Sequence, residues 1–434
     1  MVGEAKKKQI FQDYLKEVDI IIADKSSASR RRLVKTLCDM GASRLRVHSV
    51  AHYQEAIELI DSKSPKFVLS DYSLKGGSGF DLFRHYREKF PDEKKSVLML
   101  VTSNISQSAV AKAAEEDVDS FVIKPYTVQS LEKSFINTVV SKLHPTKYIQ
   151  TIEAGKEKMF DADYEGALAL FEQATELNKK PSLALFYHGQ VKYLLDQAQE
   201  AEGDYKKGLE INSIHYKCQV GLYELFKKDG KLVEAYSVVR NIAKYFPANP
   251  ERLKEVVHLA VKTKNYLDME IYYDVFTELE ERTDDVINYI CSGLYVCGKY
   301  LFMEGESERA RTNLEKLSIS AAGTTKFLKA VVSLLVEHEI YEDAQKILPR
   351  FSNEKEDEFA YKVSSYLANN NDMDNPERIA KGQELFNNGL KDPQCLLFLI
   401  RALRAEGLDK KAQQYSEEAE YLFPDYFAKQ SLAA

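Results

Sequence analysis

The chain has 434 residues, 44% hydrophobic and 29% charged, with 19 Gly, 11 Pro and a formal net charge of −7. Such a composition excludes collagen-like and disordered chains, and the length implies two or three units rather than one core. No apolar run approaches the roughly 20 residues that span a bilayer, and no apolar stretch follows the basic start MVGEAKKKQ, so no membrane association and a cytoplasmic setting are expected. Cys38, Cys218, Cys291, Cys297 and Cys395 form no CxxC pair, and the eight histidines include no HExxH motif, which argues against zinc. Residues 1–145 carry 23 Lys and Arg against 19 Asp and Glu, a net +4, which leaves −11 for the rest.

Taken in order, residues 1–17 read as a helical extension, and 18–145 as strands alternating with helices. The run DIIIA is followed by a turn and the helix SRRRLVKTLCDMG. The cycle repeats in VHSV with HYQEAIELIDS, KFVLSD with GGSGFDLFRHYREKF, SVLMLVTS with SQSAVAKAAEEDV, and SFVIK with VQSLEKSFINTVVSKL. Five such cycles predict a doubly wound α/β fold, a five-stranded parallel sheet covered on both faces, with function at the carboxyl ends of the strands. Those ends carry Asp24, Asp71, Thr102 and Lys124, the last followed by Pro125. Two carboxylates, a hydroxyl and a lysine suit phosphoryl chemistry: a carboxylate attacks phosphorus while the other groups hold a hard cation or neutralise oxygens.

With spacings of 47, 31 and 22 residues between Asp24, Asp71, Thr102 and Lys124, this span resembles the receiver domain of bacterial two-component response regulators, with a flavodoxin-like fold. The resemblance implies Asp71 as phosphoacceptor, Thr102, Phe121 and Lys124 as the switch, and Asp24, Asp71 and the Ser73 carbonyl as Mg²⁺ ligands. Gly79 fits the glycine that opens the third helix in the family. It further implies a histidine kinase or phosphotransfer protein as a partner, and a receiver surface that serves either homodimers or domain contacts. One departure stands out: the family's second acid, a main metal ligand, is here Lys25. An ammonium cannot coordinate a cation, but it can pair with both carboxylates, so Mg²⁺ binding is left open.

Beyond residue 146 the pattern is amphipathic helices joined by short turns. Ala167, Ala201 and Ala235 lie 34 apart, Met269 continues the register, and after a slip of seven it resumes at Ala310 and Ala344, with Ala412 two periods on. Larger side chains follow four residues later (Phe171, Tyr205, Val239), on the same helical face. The pattern resembles the tetratricopeptide repeat, with Gly155 and Gly189 where the first helix must approach the second. About eight units are expected over 146–430, stacked into an all-α superhelix. The fifth is expected to follow a longer linker, and the seventh to be interrupted by NNNDMDNPER. First-helix positions Ile152, Lys156, Met159, Phe186, Gln190 and Tyr193 are the expected groove for a protein partner, and the net −11 favours basic or amphipathic segments.

Residues 146–434 contain no Ser-His-Asp order, phosphate-binding glycine loop or paired-carboxylate hydrolase signature, so neither an enzyme nor a nucleotide cofactor is expected. The leading expectation is a signalling adaptor in which the receiver controls a repeat module. The alternative is a phosphorylation-independent pseudo-receiver scaffold. A nucleic-acid regulator, resting on Lys6–Lys8 and Arg30–Arg32, ranks last because no DNA-binding domain follows the receiver and the repeats are acidic.

Overall fold

The structure, a computed structural model, describes residues 3–91, 93, 95–102, 118–245, 250–279, 282–321, 324–351 and 358–431. Contacts divide it into two compact units, Met1–Leu259 and Ala260–Ala434. In the first, strands β1 (Ile20–Ala23), β2 (Val47–Val50), β3 (Phe67–Ser70), β6 (Val97–Thr102) and β7 (Ser120–Ile123) form a parallel sheet in the order β2-β1-β3-β6-β7. A two-residue ribbon, β4 (Ser73–Leu74) with β5 (Gly77–Ser78), follows β3. Helices α1 (Glu4–Glu17), α2 (Ser27–Asp39), α3 (Tyr53–Lys63), α4 (Gly79–Lys89) and Val128–Leu143 accompany the sheet. The helix expected from SQSAVAKAAEEDV falls outside the described residues.

Successive strand residues point to opposite faces, which explains why β1 is apolar throughout. Ile20 and Ile22 join one core with Leu37, Phe67 and Phe135, while Ile21 and Ala23 join the other with Phe80, Phe83 and Leu100. The N-terminal helix belongs to the first core. Phe11 and Leu15 are fully buried, and the Tyr14 hydroxyl donates to the Lys66 carbonyl at 2.6 Å. Burial of each of those apolar side chains contributes about 1.5–3 kcal/mol.

Three helical hairpins complete the first unit: Lys147–Phe160 with Tyr164–Leu177, Ser182–Leu194 with Ala198–Ile211, and Tyr216–Lys228 with Leu232–Tyr245. The tight approach expected at Gly155 and Gly189 is there, and it is made by the aromatic ring rather than by alanine alone. A Cβ on Gly155 would lie 2.5 Å from Phe171 Cε1, and one on Gly189 2.8 Å from Tyr205 Cε1. Helix Pro250–Lys262 carries the chain into the second unit.

The second unit is again helical, from Met269–Glu278 to Pro424–Ser431. The register slip of seven has a structural cause that differs from the expected linker. Helix Asp284–Met303 has 20 residues, against 13 in Tyr216–Lys228. Seven extra residues make about two turns, so the packed face is retained: Gly298 meets Leu314 as Gly155 meets Phe171. By length and composition this helix is apolar enough to cross a membrane, contrary to the expectation of no such run; half of the apolar window is buried inside the protein. The segment NNNDMDNPER is a helix junction. Asp374 caps helix Asn375–Asn387 by accepting from the Glu377 N–H, and Pro376 occupies the first turn, where its missing N–H costs nothing.

Candidate functional site

Register brings the site together. Ala23 of β1 is opposite Ser70 of β3, so the next residues, Asp24 and Asp71, leave the sheet side by side at the switch in strand order. Thr102 pairs with Ile123, and the Lys124 N–H donates to the Thr102 carbonyl at 2.7 Å, which places Lys124 on the same rim. Asp24 and Asp71 are 1% and 6% exposed. Lys124 Nζ donates to Asp24 Oδ2 at 2.6 Å and to Asp71 Oδ2 at 2.8 Å. The remaining carboxylate oxygens accept from backbone: Ser26 N–H to Asp24 Oδ1 and Tyr72 N–H to Asp71 Oδ1, both 2.7 Å. Burial opposes the charge on Lys124, but the hydrogen bonds and charges of Asp24 and Asp71 outweigh it and hold its pKa above the usual lysine value.

Local sequence explains the geometry. Ser26 caps α2, accepting from the Ser29 N–H, and so turns its own N–H toward Asp24. Gly79 opens α4 directly against the strand end: a Cβ there would stand 2.2 Å from the Asp71 carbonyl oxygen and 2.7 Å from Ser70 Oγ. Two arginines of the basic cluster act as ties. Arg30 Nη1 donates to the Asp24 carbonyl at 2.6 Å, and Arg32 Nη2 donates to the Tyr126 carbonyl at 3.3 Å while its guanidinium stands 5.2 Å from the Tyr126 ring centroid. Helix α2 thus holds both arms of the clamp, next to Asp24 and two residues beyond Lys124. The sequence singled these arginines out only as part of a basic cluster. Their place in the first two turns of the helix that follows Asp24 was the available signal.

The expected pairing of Lys25 with the carboxylates is not found. Lys25 is exposed and, among the described residues, has no ion pair with Asp24 or Asp71; Lys124 takes that place. Thr102 is buried, and Phe121 points outward, 40% exposed. Ser73 lies in the ribbon, partly buried. A divalent cation suits this donor set poorly. One of the expected acids is a lysine, and all four oxygens of the two remaining carboxylates already accept hydrogen bonds from protein groups.

Of the expected groove residues, Ile152 is corrected to core: it is buried with Ala167 and Phe171, because the first helix turns that position onto its partner. Met159 and Phe186 rest half-buried on the same cluster. Lys156 pairs with Glu153 at 2.9 Å, Gln190 and Tyr193 are half-buried, and Lys228 stands over the Tyr193 ring. One thiol and imidazole also meet: His215 Nδ1 lies 3.0 Å from Cys218 Sγ. Burial pushes the thiol up to about 12, and burial with the Lys217 charge pushes the imidazole down to about 4, so both stay neutral and the pair is no activated nucleophile.

Residues 20–136 match the family model described as response regulator receiver domain. The chemotaxis protein CheY of Pseudomonas aeruginosa is 28% identical over 116 residues, which covers 26% of this chain and 90% of that protein. CheY-3 of Vibrio cholerae is 24% identical over 118 residues, 27% of this chain and 88% of its own length. Among solved structures, CheY4 of Vibrio cholerae aligns over 28% of this chain and 99% of its own, with 18% identity and a TM-score of 0.26. A tetratricopeptide repeat protein from Parabacteroides merdae aligns over 59% of this chain and 98% of its own, with 14% identity and a TM-score of 0.29. The chain carries a response regulator receiver domain followed by a long tetratricopeptide-like helical region, the latter marked by its 34-residue period and glycine-to-aromatic packing.

Proposed function

We propose that the chain is a cytoplasmic, non-enzymatic signalling adaptor in which a receiver controls a protein-binding helical module. The observation that carries this reading is the buried Asp24–Lys124–Asp71 clamp at the switch in strand order. A carboxylate oxygen of Asp71 attacks the phosphorus of a phosphodonor, supplied by a histidine kinase or phosphotransfer protein. The bond from phosphorus to the leaving group breaks with its electron pair, and an acyl phosphate remains on Asp71. Lys124, already 2.8 Å from Asp71 Oδ2, neutralises the phosphoryl oxygens as they arrive. The Thr102 hydroxyl and outward Phe121 are the groups that respond, and they alter the surface around edge strand β7. No step is assigned to Mg²⁺, because the donor set does not suit it.

Incubation with acetyl phosphate, in EDTA and in Mg²⁺, followed by intact mass, tests the reading. The expected result is one added phosphoryl group under both conditions, lost in Asp71→Ala. An unchanged mass in the wild-type chain refutes the switch. A second reading, a pseudo-receiver scaffold that works without phosphate, draws support from the pairing of both carboxylates with Lys124 and from Lys25 in place of the second acid. It predicts no phosphorylation but the same partner binding in Asp71→Ala.

A further inference from the structure

Charge in the first three helical hairpins is unevenly divided between the helices. The first helices, Lys147–Phe160, Ser182–Leu194 and Tyr216–Lys228, carry seven lysines against three glutamates. Of their partners, Tyr164–Leu177 and Ala198–Ile211 carry seven acids against two bases, while Leu232–Tyr245 carries one acid against two bases. An incoming ligand responds to the local potential of the face it meets, so the net acidity of the region is a poor guide to its partner.

On the lysine-rich helices, apolar groups stand uncovered at matching positions. Phe160 is 91% exposed, and Leu194, one 34-residue period later, is 51% exposed. The next period brings Lys228, whose ammonium lies 4.8 Å from the centroid of the Tyr193 ring, with Lys227 beside it. Lys156 precedes Phe160 by about one turn. These three lysines hold partly or fully exposed carboxylates: Glu153 at 2.9 Å, Glu255 at 3.2 Å and Asp196 at 3.3 Å. Ion pairs this open to water contribute little and exchange readily for another carboxylate.

We propose that this face, running from Phe160 and Leu194 to Lys227 and Lys228, docks an acidic protein segment. Its apolar side chains cover Phe160 and Leu194, and its carboxylates meet Lys156, Lys227 and Lys228. The assignment rests on the reading of the helical region as a protein-binding module, and it reverses the partner charge that the net −11 suggests. A phosphate backbone would use the lysines but gains nothing from an uncovered phenylalanine and leucine.

The test uses the full chain and three fluorescein-labelled peptides of about 12 residues, long enough when extended to cross first helices stacked roughly 10 Å apart. One alternates Glu with Leu and Phe, the second replaces Glu by Lys, and the third replaces the apolar residues by Ser. Fluorescence anisotropy is expected to show the Glu-apolar peptide binding at least about 10-fold more tightly than either other peptide. Phe160→Asp with Leu194→Asp, and separately Lys227→Glu with Lys228→Glu, should each weaken it about 10-fold at unchanged helical circular dichroism. Tighter binding of the Lys peptide overturns the acidic assignment and leaves the module reading intact. Affinity unchanged in both variants overturns the location. No binding of any peptide overturns both. Duplex DNA that displaces the Glu peptide and loses affinity in the lysine variant reassigns the face to nucleic acid.

Discussion

Removal of the Lys124 ammonium puts the clamp to its hardest test. Lys124→Met keeps the aliphatic stem and leaves two carboxylates, 1% and 6% exposed, at the ends of adjacent strands. The contacts at 2.6 and 2.8 Å each supply about 6 kcal/mol of gross attraction at an effective dielectric of about 20, most of it offset by the desolvation of three charges. Loss of one partner leaves that desolvation uncompensated, so the expected cost at pH 7 is about 3–5 kcal/mol. Protonation of one carboxyl relieves the repulsion, so the deficit should shrink as the pH falls. Adding Asp71→Asn should recover more than half of it at pH 7. Hydrogen exchange of the β1 and β3 amides, followed by mass spectrometry, reports on the receiver sheet specifically in a chain with two units. A deficit below about 1 kcal/mol, or one insensitive both to pH and to Asp71→Asn, would refute the picture of a buried, charge-dependent clamp.

The same lysine sets an alkaline limit. Its pKa is raised on folding, so its stabilisation is fully present below the unfolded value of 10.5 and is lost as the pH rises through the folded value above it. Exchange protection at β1 and β3 should therefore fall more steeply above that pH in the wild-type chain than in Lys124→Met. Gly79→Ala places a methyl group against the Asp71 carbonyl and should cost about 2–3 kcal/mol, whereas Gly203→Ala, in a helix with nothing within 4 Å, should be neutral or stabilise by up to about 1 kcal/mol; urea denaturation compares them. Phe11→Ala should cost about 3–5 kcal/mol in the same assay, since the ring is fully buried in the sheet's first core; no measurable loss would make α1 a dispensable appendage.

Much of the chain's order was legible because it rests on short-range patterns. Strand runs such as VHSV and the 34-residue recurrence of Ala167, Ala201 and Ala235 are periodicities, and each periodicity names its element. The residues at the four strand ends were legible for the same reason. Less legible was whatever depends on which side chain reaches across space. Lys25 follows Asp24 in sequence, yet it turns to solvent, while Lys124, a hundred residues away, makes both bonds. Ile152 shares the first-helix register of groove positions and is core. The seven-residue slip looked like a linker because length alone does not distinguish loop from helix; it is two added turns of Asp284–Met303.

By itself, then, the sequence determined the alternation of elements, the repeat period and the identity of the groups at the strand ends, because these follow from local hydrogen-bonding geometry and side-chain periodicity. Only the tertiary structure decided which cation neutralises Asp24 and Asp71, that α1 completes the core, and that Ile152 packs inward on its own hairpin. Those outcomes depend on Coulomb interactions and burial between residues separated in the chain, whose strength falls with a distance that sequence spacing does not measure.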